Sequence, residues 1–322
     1  MIPLILWIVF FIIGYVIIFF AADFFLDNLK EVCLIYGISP FIIGALLIGI
    51  DPEESIASII AAINGLTYIS IGNVIGNSII ALTVSFSIPA LFYKIQFKSV
   101  SQTYFYLLYI CTFLILFGLI FNTGLLITGM LAIIIYFIYL IRNARFLSNQ
   151  SALDKNFAEK AMELDIELKK SEKKQIIKKI SIVIISFVFI FLGGELLIIS
   201  TEQILIITLI PETIFGFVII AFVTNVEELT LVFKSIKKKS LEIGLGGMIG
   251  KVFWNLSLTF GISAIIIVNL SISWILFWNW FVLLILILFF NWRSKKQSFH
   301  WKDGIILLVY FITFLTINFL TV

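Results

Sequence analysis

Asp51-Pro52-Glu53-Glu54-Ser55 interrupts an apolar run that covers residues 41–63. A carboxylate at the centre of a bilayer costs about 2.5–3.5 kcal/mol on insertion scales, so such a cluster indicates a site that faces the protein interior. Pro52 removes a backbone donor and tends to kink a helix, which frees carbonyl oxygens beside the carboxylates. Carboxylate and carbonyl oxygens are the ligands of hard cations. The stretch predicts a site for an ion, a proton or a partner charge; the alternative is a structural bend with a buried ion pair.

A second acidic motif, Thr224-Asn225-Val226-Glu227-Glu228, follows the apolar run 214–223. Glu228 follows Glu54 by 174 residues, and the same offset brings further residues of the two segments into register. The aligned pairs are Asp51 with Asn225, Gly72 with Gly246, and Gly76 with Gly250. Paired interruptions at corresponding places in two halves of a membrane protein point to the binding site of a transporter. We therefore expect two repeats, each an acidic broken helix followed by a Gly-x-x-x-Gly helix.

The composition excludes a soluble domain, because 61% of the 322 residues are hydrophobic and only 13% are charged. It indicates an all-α polytopic membrane protein. Cys33 and Cys111 lack metal-ligand spacing, and His300, the single histidine, lies in a charged loop where we expect it to be solvated. We therefore expect no Ser-His-Asp, Cys-His or histidine-metal arrangement. We expect no enzyme activity, no cofactor, no nucleic-acid partner and no obligatory protein partner. The expected partners are inorganic cations and the lipid bilayer.

Apolar segments of about 20 residues predict ten transmembrane helices. Their approximate ranges are 2–20, 40–63, 68–93, 104–121, 125–141, 180–200, 213–233, 241–268, 273–290 and 304–320. With the N-terminus outside, every Lys and Arg except Lys251 lies on the cytoplasmic side, as the positive-inside rule requires. We therefore expect a multi-pass plasma-membrane protein with both termini outside. Each half has an odd number of spans, so the ten helices form two inverted five-helix repeats.

The predicted halves are joined by one long charged connection. Residues 1–141 form the first transmembrane half, with its repeat motif over about 40–93, and residues 180–322 form the second half, with its motif over about 213–268. Between them, residues 142–179 alternate acidic and basic side chains. This pattern predicts a cytoplasmic tether, either a helix or a flexible linker, rather than a regulatory domain.

Helical spacing brings the oxygen-bearing side chains of the first motif onto one face. Asp51, Glu54, Ser55 and Ser58 follow one another at i, i+3, i+4 and i+7. Glu53 points about 100° away from Glu54, since each residue of a helix turns by that angle. The first motif therefore presents a pair of carboxylates, with two hydroxyls, to one side of the helix.

The second motif presents Asn225 and Glu228 in the same way, with Thr224 adjacent. Inverted halves would bring Glu54 and Glu228 close to each other near the middle of the membrane. Two carboxylates with hydroxyl, amide and carbonyl oxygens suit a hard divalent cation, calcium before magnesium. They also suit proton exchange, because one of two paired buried carboxylates has a raised pKa.

The glycine-rich helices that follow supply further polar side chains. Asn77 and Ser78 in the first half and Asn255 in the second are expected to add ligands at the centre. Glycines four apart allow close helix approach, a spacing that is common by chance but here recurs in both halves.

Lys251 is the one basic residue inside a predicted span, so it should lie within reach of a carboxylate. The candidates are Asp51, Glu54, Glu227 and Glu228. Two roles stay open. Lys251 is either a fixed counter-ion that holds the carboxylates together, or a built-in competitor for the transported cation. Glu53, Glu227, Ser78 and Asn255 complete the set of residues predicted to take part in coupling or in holding the counter-ion.

The two motifs resemble the repeats of the calcium/cation antiporter superfamily in its prokaryotic form, which includes sodium/calcium and proton/calcium exchangers. Its members carry Gly-Thr-Ser-x-Pro-Glu, or Gly-Asn-x-x-Glu in the proton-coupled branch, and then Gly-Asn-x-x-Gly-Ser. The corresponding segments here are Gly49-Ile50-Asp51-Pro52-Glu53-Glu54 with Gly72-Asn73-Val74-Ile75-Gly76-Asn77-Ser78, and Val223-Thr224-Asn225-Val226-Glu227-Glu228 with Gly246-Gly247-Met248-Ile249-Gly250-Lys251. The resemblance implies that Glu54 and Glu228 bind the cation. It implies neighbouring ligand positions at Asp51, Asn225, Thr224 and Asn77.

The departures from the family pattern bear on the coupling ion. Ile50 stands at the first-repeat Thr, Asp51 at the Ser beside it, and Lys251 at the second-repeat Ser. An ammonium at an oxygen-ligand position removes a cation site or fills it. We therefore expect an antiporter that exchanges calcium, or a related cation, for protons by alternating access. The alternatives are a sodium/calcium exchanger and a non-transporting family member whose centre is locked by Lys251.

Overall fold

The computed structural model describes residues 3–35, 52–96, 102–121, 124–150, 173–225, 241–268, 270 and 273–320. Within these ranges the chain is helical apart from short connections and one pair of two-residue strands. Asp51, Glu227 and Glu228, three of the residues singled out in the sequence, lie outside them.

Ten helical segments occur in the described ranges, one at the place of each predicted span. They are α1 (Leu4–Ile35), α2 (Pro52–Ile63), α3 (Thr67–Phe92), α4 (Gln102–Ile120), α5 (Gly124–Gln150), α6 (Lys173–Thr208), α7 (Glu212–Ile214, Phe215–Ile220 and Ala221–Thr224), α8 (Leu241–Trp254, Asn255–Thr259 and Phe260–Ile266), α9 (Trp274–Lys296) and α10 (Trp301–Leu320). The middle pieces of α7 and α8 are π-helical.

Eight stretches of the described helices are long and apolar enough to cross a membrane. They are Leu4–Leu29, Thr67–Phe92, Gln102–Ile120, Gly124–Arg142, Ile176–Thr208, Met248–Ile266, Trp274–Lys296 and Trp301–Leu320. The described part of α2 contributes a shorter apolar stretch, Glu54–Ile63. The prediction of an all-helical polytopic membrane protein is therefore confirmed, while the inverted relation of its halves stays a prediction.

Several helices are longer than their predicted spans. α1 continues to Ile35, α5 continues to Gln150, and α6 begins at Lys173. The added segments contain charged and polar residues but neither Gly nor Pro, so nothing in them stops a helix once it leaves the apolar stretch. Both ends of the connection 142–179 are thus helical continuations of the neighbouring spans, and its middle, 151–172, lies outside the described residues.

The two long helices α1 and α6 pack along each other. They cross at Gly14 and Gly193, where a Cβ added to Gly14 would lie 2.9 Å from the Gly193 carbonyl oxygen. Side chains larger than hydrogen would separate the two backbones at this crossing. The first helix of each predicted half therefore packs against its counterpart.

α3 is the buried centre of the bundle and contacts α2, α7, α8, α9 and α10. Its glycines face the π-helical piece of α7. A Cβ at Gly76 would collide with the Phe217 carbonyl, and a Cβ at Gly72 would lie 3.1 Å from the Phe217 nitrogen. The close approach that the Gly-x-x-x-Gly spacing predicts is confirmed for this helix.

Glu212, the first residue of α7, caps the N-terminus of α3. Its Oε1 accepts hydrogen bonds from the backbone nitrogens of Tyr68 at 2.9 Å and Ile69 at 3.2 Å. The first N–H groups of a helix have no partner within the helix, and a negative charge there also complements the helix dipole. The connection between α6 and α7 is thereby tied to the start of α3.

A short strand pairing lies just beyond the C-terminal end of α3. Strand β1 (Ile95–Gln96) pairs antiparallel with β2 (Ser298–Phe299), which lies between α9 and α10. Beside the strands, Arg293 forms an ion pair with Asp303, and Asp303 also accepts a hydrogen bond from the His300 backbone nitrogen at 2.7 Å. The His300 side chain is exposed, in accord with its predicted place in a charged loop.

Candidate cation-binding centre

Glu54 lies in the first turn of α2, and its side chain is buried where α2 meets α3 and α8. Pro52 is the first described residue of this helix. Glu54 is only 1% exposed. The acidic motif thus directs one carboxylate into the interior of the bundle.

Both carboxylate oxygens of Glu54 lie beside nitrogen atoms of α8. The Lys251 Nζ lies 2.6 Å from Oε1, and the Asn255 Nδ2 donates to Oε2 at 2.8 Å. The pair is buried, with Lys251 only 5% exposed. Removal of one partner from such a pair leaves an uncompensated buried charge, which typically costs about 3–5 kcal/mol. The sequence offers four carboxylates as partners for Lys251; Glu54 is the one of them that lies in the described residues, and it pairs with Lys251.

The Asn255 amide also joins α8 to α3. Its Nδ2 donates to Asn77 Oδ1 at 3.1 Å as well as to Glu54. Asn255 is the first residue of the π-helical piece Asn255–Thr259, a kind of irregularity that is frequent at functional sites. Three predicted site residues, Glu54, Asn77 and Asn255, therefore meet in one hydrogen-bonded group.

A second hydrogen-bonded group forms around Ser55, the residue after Glu54. Ser55 Oγ accepts from Trp254 Nε1 at 2.7 Å and lies 2.7 Å from Thr259 Oγ1. The Thr259 hydroxyl also lies 3.5 Å from Asn255 Oδ1, which links the two groups. Sequence reasoning did not single out Trp254 and Thr259, although they follow Lys251 at i+3 and Asn255 at i+4 and so share their faces of α8.

Asn73 supports Glu54 from α3. Its Nδ2 donates to the Glu54 carbonyl oxygen at 3.2 Å and to Ser58 Oγ at 2.8 Å. Its Oδ1 is buried and has no hydrogen-bond partner among the described residues. Asn73 belongs to the Gly72-Asn73 pair of the repeat motif, and that motif was the signal that could have marked it as a site residue.

Asn225 ends the described part of α7 and reaches the same region of α3. It is 3% exposed, and its Nδ2 donates to the Ala221 carbonyl at 2.7 Å and to the Asn77 carbonyl at 3.4 Å. Its Oδ1 is buried without a hydrogen-bond partner in the described ranges. Asn77 therefore lies between the second acidic motif, through Asn225, and α8, through Asn255.

Of the remaining predicted site residues, Ser78 bonds within its own helix, and the others are described only in part or not at all. Ser78 donates its hydroxyl to the Val74 carbonyl of its own helix at 2.8 Å, and the described contacts contain none between its side chain and Glu54. Thr224 and Glu53 are described by their backbone alone, at the end of α7 and in the first turn of α2. Asp51, Glu227 and Glu228 fall outside the described residues, so the proposed partner carboxylate of Glu54 is among the residues not described.

The described part of the centre holds one carboxylate, one ammonium and a set of neutral oxygen groups. Among the described residues no three His, Cys, Asp or Glu side chains form a metal-binding group. The amide oxygens of Asn73, Asn77 and Asn225 and the hydroxyls of Ser55, Ser58 and Thr259 are all buried. Oxygen atoms of this kind suit a hard cation, and the Lys251 ammonium is itself a cation bound at this place.

Comparisons with known proteins extend over nearly the whole chain. The family model described as sodium/calcium exchanger protein matches residues 6–144 and 178–320. The uncharacterized membrane protein MJ0091 of Methanocaldococcus jannaschii is 24% identical over 253 residues, which cover 77% of this chain and 78% of that protein.

Solved structures of the sodium-calcium exchanger NCX_Mj have a similar fold. The form soaked with 100 mM Na⁺ and 10 mM Sr²⁺ gives a TM-score of 0.56 at 20% identity, with 97% of this chain and 98% of that chain covered. The form soaked with 2.5 mM Na⁺ and 0.1 mM Ca²⁺ gives a TM-score of 0.55 at 19% identity, with 96% and 97% covered. The family resemblance of the two acidic motifs is confirmed by the match of the family model. The chain belongs to the sodium/calcium exchanger protein family, a family of membrane transporters rather than enzymes.

Proposed function

We propose that the chain is a secondary-active antiporter that exchanges calcium, or a related cation, for protons across the membrane. The observation that carries this proposal is the buried Glu54 carboxylate, held at the contact of α2, α3 and α8 among amide and hydroxyl oxygens. A buried carboxylate inside an apolar helix bundle is costly and points to an ion or proton pathway.

Glu54 and Glu228 bind the cation in this proposal, and Asp51, Asn225, Thr224 and Asn77 complete its shell. Calcium takes six to eight oxygen ligands, so more than the two carboxylates must contribute. The geometry of Asn225 and Asn77 supports this assignment, because Asn225 bonds the Asn77 backbone while its own buried Oδ1 has no partner among the described residues. An oxygen left in this state is available to a cation.

Alternating access follows from the proposed architecture. The two segments matched by the family model, 6–144 and 178–320, nearly coincide with the two predicted halves, 1–141 and 180–322, and this supports their treatment as halves of one transporter. We place both termini outside and the connection 142–179 in the cytoplasm, on the distribution of Lys and Arg. Rocking of one inverted half against the other would then expose the centre to either side.

The sodium/calcium exchanger is the second candidate, and the family to which the chain belongs favours it. Lys251 argues against sodium coupling, because its ammonium occupies a position at which the family motif has an oxygen ligand. If sodium is the coupling ion, the double variant Asp51→Ser with Lys251→Ser should strengthen the sodium dependence of calcium transport. A sodium dependence unchanged in that variant would count against sodium coupling.

A third candidate, a non-transporting member with a locked centre, is favoured by the Lys251–Glu54 ion pair itself. In that case Lys251→Ala destabilises the protein by about 3–5 kcal/mol, because it leaves Glu54 charged and buried. Gain of calcium binding in Lys251→Ala, with no fall in melting temperature, would argue against a lock.

The deciding experiment is calcium uptake into liposomes that contain the purified protein. Sodium-free buffer and an imposed pH gradient should drive uptake if protons are the coupling ion. Uptake that requires a sodium gradient instead would replace proton coupling by sodium coupling. No uptake under either gradient would leave the locked centre and overturn the antiport proposal.

A further inference from the structure

The ion pair between Lys251 and Glu54 joins a cation of the chain to the carboxylate that is proposed to bind the transported ion. The Nζ and Oε1 atoms are 2.6 Å apart, and both side chains are buried. Lys251 lies within the apolar stretch Met248–Ile266 and is only 5% exposed. Its position in the second repeat corresponds to Asn77 in the first, by the same offset of 174 residues that relates Glu54 to Glu228.

The other donors around Glu54 complete the arrangement. Asn255 turns its NH₂ group toward Glu54 Oε2 and Asn77 Oδ1, so two oxygens that could bind a cation converge on a donor of the chain. An ammonium and an amide together provide at Glu54 the positive charge and the electrophilic contacts that a bound cation would provide. Both oxygens of the carboxylate thus lie beside a nitrogen atom of the protein, at 2.6 Å from Lys251 Nζ and 2.8 Å from Asn255 Nδ2.

We infer that the Lys251 ammonium is a built-in cation that permanently fills one monovalent-cation position of the centre. An exchanger with this residue therefore takes one monovalent cation fewer than a family member with an oxygen ligand at the same place. The occupancy of the position stands on the geometry of the ion pair, and the count of transported ions rests on the proposed function.

Removal of the ammonium should open the position to a cation from solution. In Lys251→Ser, Glu54 keeps its charge and gains a hydroxyl neighbour, and Asn255 can turn its Oδ1 toward the vacated space. A carboxylate with hydroxyl and amide oxygens attracts a small cation such as sodium. Lys251→Arg is the matched control, because it keeps a fixed positive charge beside Glu54.

The test measures the melting temperature of the purified protein in detergent, in sodium chloride against choline chloride at equal concentration. A ligand that binds only the folded state raises the melting temperature in a saturable way. We expect a saturable sodium-dependent rise for Lys251→Ser and none for the wild type or Lys251→Arg. The double variant Glu54→Gln with Lys251→Ser should lose the rise, because the carboxylate that attracts the cation is gone.

A Lys251→Ser protein that melts at the same temperature in both salts would overturn the inference, as would a wild type that shows an equal rise. If Lys251→Ser does not fold, Lys251→Gln, which is closer to lysine in size and offers an amide oxygen, takes the same test with the same expected results. Calcium uptake by the wild type, measured in parallel, separates the claim of antiport from the claim that Lys251 fills a cation position. Its absence would refute antiport, while the sodium response of the variants still decides whether Lys251 fills a cation position.

Discussion

Asn255 donates its side-chain amide to Glu54 Oε2 at 2.8 Å and so joins the start of α2 to the middle of α8. The two residues are 201 positions apart and belong to the two different acidic repeats of the sequence. Because the same amide also donates to Asn77, one side chain links three of the described helices, α2, α3 and α8.

Asn255→Leu should therefore destabilise the protein and impair the centre. The substitution leaves Glu54 Oε2 and Asn77 Oδ1 without this donor, and an unsatisfied buried acceptor costs about 1–3 kcal/mol. The control is Asn279→Leu, which breaks the buried amide pair with Asn318, at 2.9 and 3.0 Å, between α9 and α10. Both variants should lower the melting temperature, but only Asn255→Leu should change the response of the protein to added calcium. A calcium response altered equally by both variants would contradict the assignment of Asn255 to the centre.

Trp254→Phe should lower stability by about 0.5–1.5 kcal/mol, the usual net value of one hydrogen bond. The change removes the Nε1 donor to Ser55 while it keeps an aromatic ring against Tyr136, whose ring centroid lies 5.1 Å away. Trp278→Phe is the matched control, because the Trp278 Nε1 has no hydrogen-bond partner among the described residues. Chemical unfolding in detergent should separate the two variants, and an equal loss in both would show that the Trp254 hydrogen bond contributes nothing measurable.

Gly76→Ala should destabilise the protein more than Gly72→Ala. A methyl group at Gly76 meets the Phe217 carbonyl of α7, whereas a methyl group at Gly72 lies 3.1 Å from the Phe217 nitrogen and needs a smaller shift. Overpacking of this kind costs about 1–3 kcal/mol. Melting temperatures of the two variants in detergent test the order. The reverse order would mean that α3 and α7 do not pack through these glycines as described.

Glu212 should make stability depend on pH. Burial raises the pKa of its carboxyl above the ordinary value of 4.5, although the backbone N–H groups of Ile69 and Tyr68 act in the opposite direction. The folded protein therefore holds the proton more tightly than the unfolded chain. The contribution of this group to stability is then greatest below about pH 4.5 and falls as the pH rises through the raised pKa.

Glu212→Gln keeps an oxygen acceptor for the start of α3 but does not titrate. Its melting temperature, relative to that of the wild type, should accordingly rise as the pH increases from about 4 to about 8. Glu212→Ala, which removes the acceptor, should be less stable than Glu212→Gln by about 0.5–2 kcal/mol, the usual cost of a lost cap. Parallel melting curves of Glu212→Gln and the wild type across this range would contradict the pH effect.

The positions of the helices could be predicted from the sequence because apolar length alone marks a transmembrane helix. The ends of α1, α5 and α6 could not, since charged residues without Gly or Pro allow a helix to continue into water. The spacing of Glu54, Ser55 and Ser58 correctly predicted a shared buried face, because each has a partner in α3 or α8.

Other features of the centre depend on tertiary packing. The π-helical pieces Phe215–Ile220 and Asn255–Thr259 change the hydrogen-bond register of a helix without a sign in residue spacing. Sequence reasoning offered four carboxylates to Lys251, and the packing of α2 on α8 brings to it Glu54, the one of the four that lies in the described residues. Ser78 shows the converse, because a hydroxyl in a helix can bond its own preceding turn, here Val74, instead of a ligand.

The central claim is that Glu54 and Glu228 together bind the cation that is exchanged. The most direct test is calcium uptake into proteoliposomes under a pH gradient, with Glu54→Gln and Glu228→Gln compared with the wild type. Glu212→Gln serves as the control, because Glu212 is also a half-buried glutamate but caps a helix outside the centre. The account predicts that uptake is lost in Glu54→Gln and in Glu228→Gln and retained in Glu212→Gln. Uptake that persists at the wild-type rate in Glu54→Gln or in Glu228→Gln would contradict it.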